Sequence, residues 1–391
     1  MQFTPSIFTA LLKPIDRRAF KAGVATHRGD FYGKSFNSWE HLVALLFAQF
    51  SGATSLRGVE TGFNAQAQLH YHLGCQAISR TTLADANARR PVGVFGDVFQ
   101  RLAGTLDRKT RREAKDVLHL IDATPIMLNR MMDGVACNGR IKGLKLHLLH
   151  DLEANCPLSA EITKATVNDI LPARGQPLKA GVTYVFDKAY CDFAWWQKIN
   201  DCGAFFVTRP KTNMNVTVLD DRPLCETRGD GFTVLADQIV GRIPARTAKL
   251  KAALATPLRR ITIARGNGGV FTIISNDTSR SAVDLASCYK ARWKIELLFR
   301  WLKQNLNITR FIARNENAVR LQIMAALIAF VLIRIAQAAN QSQLTPKRFI
   351  ELIQSFLHAR RPLAKIDKPP PINPSKPKSK LNPNQLILEL Q

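Results

Sequence analysis

Residues 289–303, "YKARWKIELLFRWLK", combine a hydrophobic body with four chemically useful groups. Ile295, Leu297, Leu298, Phe299, Trp301 and Leu302 are apolar, as in an ordinary buried helix. Tyr289, Arg292, Glu296 and Lys303 interrupt them. An α-helix advances about 100° per residue, so these four positions share one stripe roughly 60° wide. Trp293, Ile295, Leu297 and Phe299 flank that stripe with apolar surface. One carboxylate, two cations and a phenol therefore face the same way. A solvated face carrying an i, i+4 Arg–Glu pair fits this pattern. So does the wall of an active site, which requires acidic partners elsewhere in the chain.

Two β-rich runs supply such partners. "VLHLIDATPIML" (117–128) carries the single acid Asp122, and "VTYVFDKAY" (182–190) carries Asp187. Desolvating a carboxylate is costly, so a strand-borne acid needs a base or a shared cation. Oxygen ligands suit Mg²⁺, with Mn²⁺ as a substitute, and no His/Cys cluster competes for a softer metal. With Glu296, three carboxylates meeting at one sheet edge would satisfy two-metal phosphoryl transfer, in which cations sit roughly 3.5–4 Å apart. Asp116, Asp169 and Asp192 are rivals. Asp192 opens "DFAWWQKIND" and reads as its N-cap.

Working outward, residues 1–113 read as all-helical. "SFNSWEHLVALLFAQF" opens with a Ser N-cap candidate and repeats Leu42, Leu45, Leu46 and Phe50 at helical spacing. "ISRTTLADANARRP" is a short helix after Ser79, bracketed by Arg80, Arg89 and Arg90. Short helices ending on an Arg-bearing member fit a helix-turn-helix-like DNA reader or a plain helical bundle. From 114 to 345 the order β-β-β-α-β-α-β predicts a mixed sheet with helices on its faces, an α/β fold. A polar, strand-like stretch at about 213–270 reads as a β-rich insertion. Residues 346–391 give a short helix and then, from Pro362, a Pro- and Lys-rich tail expected to be disordered.

The 391 residues are 46% hydrophobic and 22% charged, which is globular composition, and the formal net charge is +25. Such an excess of Lys and Arg calls for a polyanionic partner, with nucleic acid first. Seven cysteines without a CxxC pair point to a reducing compartment. No signal peptide is read at the N-terminus. Ile323–Ile333 is the most apolar run; it is too short to span a bilayer and reads as a core helix. A cytoplasmic protein without membrane partners is expected.

The pattern Tyr-x2-Arg-x3-Glu-x6-Lys in "YKARWKIELLFRWLK" resembles the signature of bacterial transposases of the insertion-sequence-four family, within the DDE superfamily. "IDATPI" and "VFDKAYCDF" look like the segments holding that family's first and second Asp. The likeness spans roughly residues 115–340. It departs at "DKAY", where many relatives have Asp-Arg-Gly-Tyr.

The resemblance implies an RNase H-like catalytic core with Asp122, Asp187 and Glu296 as catalytic acids and metal ligands. Arg292, Lys303 and Tyr289 would hold DNA phosphates near the scissile bond. Arg209 and Lys211, in the loop "VTRPKTN", are further phosphate candidates, beside Arg80, Arg89 and Arg90 in the helical region. His147 reads as a strand-face residue or a neighbour of the site, and Trp195 and Trp196 as core or as base-stacking groups. The implied activity is cut-and-paste transposition: binding terminal inverted repeats, metal-dependent cleavage, and strand transfer by at least a homodimer at the nucleoid. A repurposed DNA-binding protein and a nuclease without joining activity are the alternatives.

Overall fold

In the computed structural model the run around Asp122 is a strand in the middle of one large sheet. The structure describes residues 4–31, 35–113, 117–128, 137–138, 141–212, 214–242, 256–266, 268–306, 308, 311–312 and 315–368. Asp116 and the tail beyond residue 368 lie outside the described residues.

The strands are β1 (Val117–Met127), β2 (Cys137–Asn138), β3 (Ile141–Asp151), β4 (Cys156–Lys164), β5 (Val182–Val185), β6 (Phe205–Thr208), β7 (Val216–Asp221), β8 (Arg228–Gly229), β9 (Phe232–Arg242), β10 (Leu258–Arg265) and β11 (Val270–Ser275). Their spatial order is β2-β3-β1-β5-β6-β11-β10-β9-β7, with β4 also on β3 and β8 on β9. β1, β5 and β6 run parallel, and the other pairs are antiparallel. The mixed sheet expected from the sequence is present. The 213–270 region extends the same sheet through β11 and β6.

Helices α1 (Ile7–Leu12), α2 (Arg17–Thr26), α3 (Ser38–Ser51), α4 (Leu56–Asn64), α5 (Ala67–Leu73), α6 (Arg80–Arg89) and α7 (Gly93–Glu113) precede the sheet. Within it lie α8 (Ile170–Gly175) and α9 (Phe193–Asp201). α10 (Ala282–Ala291), α11 (Trp293–Asn305), α12 (Glu316–Asn340) and α13 (Pro346–Phe356) follow. The cap of α3 is Asn37, not a serine: its side chain accepts Glu40 N–H while Glu40 returns to Asn37 N–H, a capping box.

Two hydrophobic clusters cover the two faces of the sheet. Ala173 of α8 and Trp195, Trp196 and Ile199 of α9 pack with Tyr184 and Phe206 on one face. On the other, side chains of α3, α7, α11 and α12 meet Leu120, Leu146 and Val207 in one continuous core. That core runs across the expected boundary at 113/114, so the N-terminal helices share packing with the sheet. α12 is the core helix expected from Ile323–Ile333, but longer than that run. It has 25 residues, long enough to span a bilayer, but 83% of its apolar window is buried inside the protein. A helix apolar on all sides fits a core position. Pro362–Lys368, expected in the disordered tail, is folded: Leu363–Lys365 form a 3₁₀ turn, Asn340 donates to Leu363 O, and Ile366 is buried.

Candidate active site

Strand geometry brings the first two acids together. β1 and β5 are parallel neighbours with Leu120 opposite Val185. Asp122 and Asp187 each lie two residues beyond that pair, so both leave the sheet on the same side at adjacent strands. Asp187 caps a 3₁₀ turn, Lys188–Tyr190, its carboxylate accepting the Ala189 N–H at 2.7 Å. Glu296 stands in the first turn of α11.

The signature stretch is two helices, not the single one expected. Arg292 breaks the α-helical ladder: its N–H bonds to Tyr289 O at 3.1 Å, and Ile295 N–H bonds to Arg292 O at 3.2 Å. These i→i+3 bonds tighten the chain locally. Tyr289 therefore belongs to α10, while Glu296 and Lys303 belong to α11.

Arg292 is the centre of the cluster. Its Nη2 donates to Glu296 Oε1 at 2.5 Å, and its Nη1 lies 3.7 Å from Asp122 Oδ2. Burial opposes its charge, but Tyr289, Glu296 and Asp122 outweigh that and hold its pKa above the usual value. Burial pushes the Asp122 carboxyl up to about 6, with Asp187 and Glu296 adding to the rise and Ala123 N–H and Arg292 opposing it. Asp122 is thus within electrostatic reach of both other carboxylates, across three elements. No group of three His, Cys, Asp or Glu side chains among the described residues stands ready as a metal cage. Their chemistry still fits hard divalent cations: oxygen donors only, half-buried, and mutually repelling unless a positive charge joins them.

The remaining stripe residues surround this centre. Lys303 Nζ donates to Thr124 Oγ1 at 2.7 Å, two residues along β1 from Asp122. Tyr289 is 8% exposed and packs on Phe271; burial raises its pKa against the opposing charges of Arg292 and Arg209. Arg209 lies 5.6 Å over the Phe271 ring, and Lys211 and Asp187 both act on the neighbouring Cys191. The loop residues after β6, 209–211, thus lie beside the acids. A cleft of about 570 Å³ opens next to Tyr289 and Arg292, lined also by Phe271, Trp293, Lys290 and Arg265. Arg265 stacks 4.8 Å over Phe271, and Trp293 is half exposed. The sequence offered no signal for Thr124, Phe271 or Arg265, because only the fold brings them to the acids.

Other candidates are placed elsewhere. Arg80 and Arg89 are exposed on and beside α6. Arg90 is a correction: it is 9% exposed and donates to the carbonyls of Phe36 and Asn37, so its guanidinium braces the helical layer and does not offer itself to DNA. Trp195 and Trp196 are core residues at 1% and 0% exposure, which rules out base stacking. Asp192 caps α9 as expected, and Asp169 pairs with Lys145 at 2.7 Å. His147 lies on β3 opposite Ala123 and bonds Thr163 at 2.8 Å.

The family described as "Transposase DDE domain" matches residues 113–332, and a domain of unknown function matches 4–76. A Sinorhizobium fredii protein named as transposase y4zB is 47% identical over 78% of this chain and 84% of its own length. A Geobacillus stearothermophilus protein named as the transposase of insertion sequence element IS5377 is 27% identical over 68% of this chain and 71% of its own. A solved piggyBac transposase synaptic complex aligns with 94% of this chain and 81% of that one, at a TM-score of 0.45 and 9% identity, too slight a likeness to carry an argument. The chain belongs to the DDE-domain transposases of insertion sequences, enzymes of divalent-metal-dependent phosphoryl transfer on DNA.

Proposed function

We propose that this transposase binds the terminal inverted repeats of its element, cleaves there with Mg²⁺, and joins the freed 3′-hydroxyls to target DNA by a cut-and-paste route. The observation that carries the assignment of the centre is Arg292 bridging Asp122 of β1 and Glu296 of α11, with Asp187, past the end of β5, within electrostatic reach of Asp122. The strand order β4-β3-β1-β5-β6, three antiparallel strands followed by two parallel ones, supports an RNase H-like core.

In this reading Asp122, Asp187 and Glu296 hold the cations. Bound divalent cations would activate the attacking oxygen and stabilise the leaving one. Arg292 neutralises Asp122 and Glu296 before the ions bind, and then offers its guanidinium to a phosphate. Lys303, fixed through Thr124, supplies a second point charge close to Asp122. Arg209 and Lys211 add positive charge beside this centre, and Tyr289 offers its hydroxyl to a phosphate oxygen. Arg80 and Arg89, exposed in the helical layer, are free to touch DNA further out. α3 and α4 meet at 97°, and α6 follows with an exposed Arg-bearing end, which suits an end-binding role for residues 1–113. Holding two ends in one complex calls for at least two copies of the chain. The DNA substrate and cysteines carried as thiols fit the bacterial cytoplasm.

The test is incubation of the purified chain with a labelled duplex carrying the element end and its flank, in Mg²⁺, Mn²⁺ or EDTA. Metal-dependent nicking at the boundary and joined products with target DNA are expected. Nicking without joining would favour the nuclease reading, and end binding without nicking the repurposed binder.

A further inference from the structure

A cavity of about 10 Å³, close to the size that holds a single water, is lined by His147, Asp169, Gln176 and Tyr190 among apolar neighbours. Two of these residues carry polar atoms with no hydrogen-bond partner among the described residues. One is the Tyr190 hydroxyl, on a residue 1% exposed; the other is His147 Nδ1, on a residue 6% exposed.

The hydrogen-bond balance around His147 fixes what this space must hold. Thr163 donates its hydroxyl proton to Lys164 O at 3.1 Å, so it accepts from His147 Nε2 at 2.8 Å. His147 is then the Nε2–H tautomer, and its Nδ1 is an acceptor. Burial, ahead of the opposing pull of Asp169, pushes its pKa down to about 4, which keeps the ring neutral near pH 7. Asp169 Oδ1 lies 3.9 Å from Nδ1, beyond a direct bond, and is an acceptor too. Two acceptors face each other across a gap, and a phenol donor borders the same space. A water molecule has the matching complement of two donors and an acceptor.

We propose that one water resides in this cavity, donating to His147 Nδ1 and the Asp169 carboxylate and accepting from the Tyr190 hydroxyl, and that this link makes Tyr190 a positioning residue for Asp187. Tyr190 closes the 3₁₀ turn that Asp187 caps, and its own N–H bonds to Asp187 O at 3.2 Å. Its carbonyl receives Trp196 Nε1–H at 3.2 Å. Anchoring the phenol therefore fixes the turn between two elements, and with it the direction of the Asp187 carboxylate. The positioning half rests on Asp187 being a metal ligand.

Two measurements on the full-length chain test this. Long-range ¹H–¹⁵N spectra near pH 7 should show His147 protonated at Nε2, with an Nδ1 signal that moves in Tyr190→Phe. A ring protonated at Nδ1 could not accept from the water and would overturn this hydrogen-bond scheme. In Mn²⁺ titrations, Tyr190→Phe should weaken binding about tenfold and leave the saturated nicking rate within about twofold. Unchanged Mn²⁺ binding would overturn the positioning role. Nicking at the wild-type rate by Asp187→Asn would remove Asp187 from the metal site, and the positioning half with it, while the tautomer result stands.

Discussion

Replacing Arg259 with Met should destabilise the protein by about 4 kcal/mol, because it breaks a buried ion pair and leaves a carboxylate stranded. Arg259 on β10 is 2% exposed and grips Asp237 on β9 with two bonds, Nε to Oδ1 at 2.8 Å and Nη2 to Oδ2 at 2.7 Å. Its Nη1 donates to Arg280 O at 2.5 Å and to Asp277 O at 3.4 Å. Arg280 in turn reaches Asp277 Oδ2 at 2.5 Å and Thr183 Oγ1 on β5 at 2.6 Å. The network ties the β-rich extension to the central sheet at the entry to α10. In Arg259→Met, Asp237 stays buried, and among the described residues only Arg222 Nε, at 3.9 Å, remains as a cation. Breaking such a pair from one side costs about 3–5 kcal/mol, whereas replacing both partners by apolar groups is often nearly neutral. For 391 residues, about 4 kcal/mol corresponds to roughly 5 °C in Tm. The assay is a double-mutant cycle of Arg259→Met and Asp237→Leu by urea denaturation. The pair should recover more than half of the single-variant loss. A loss below about 1 kcal/mol for Arg259→Met, the range of an exposed pair, would refute the reasoning.

Two further outcomes are expected. His41 is fully buried against Asn87, and burial pulls its pKa down to about 3. The folded chain refuses a proton that the unfolded chain accepts below about 6.5, so its contribution is complete above that pH and falls toward pH 3 at about 1.4 kcal/mol per unit. Unfolding midpoints at pH 7.5 and 5.5 should drop more steeply for the wild type than for His41→Gln; equal slopes would contradict this. In the loop after β6, Arg209→Ser with Lys211→Ser should weaken DNA binding evenly across sequences and lower the salt slope of log K by about 0.9 per lost phosphate contact. An unchanged slope would take the loop off the DNA.

The acids that the proposed centre uses stand out in the sequence because their logic is local. Asp122 and Asp187 stand alone in apolar strand runs, where an acid without a partner is costly, and Glu296 sits at helical spacing from Arg292 and Lys303. Parallel pairing of β1 and β5 then brings Asp122 and Asp187 to adjacent strands. What escaped depends on contacts between distant residues or on backbone detail. The break at Arg292 has ordinary right-handed dihedrals and no Gly or Pro to announce it. Arg90 looks like any basic residue after a helix until Phe36 and Asn37 fold back to take its donors. Ile366 lies among prolines and lysines, and only docking of 362–368 near α12 buries it. The Asn37 cap was readable from Asn-x2-Glu, a stronger pattern than the nearby serines.

The most direct test of the central claim compares Glu296→Gln with wild type on one labelled element end, measuring binding in EDTA and nicking in Mg²⁺ and Mn²⁺. The account predicts unchanged end affinity within about twofold and nicking reduced at least about 10³-fold in both metals, since a lost metal-binding carboxylate removes the charge stabilisation of the transition state. Nicking near the wild-type rate in either metal would contradict it and remove Glu296 from the catalytic centre.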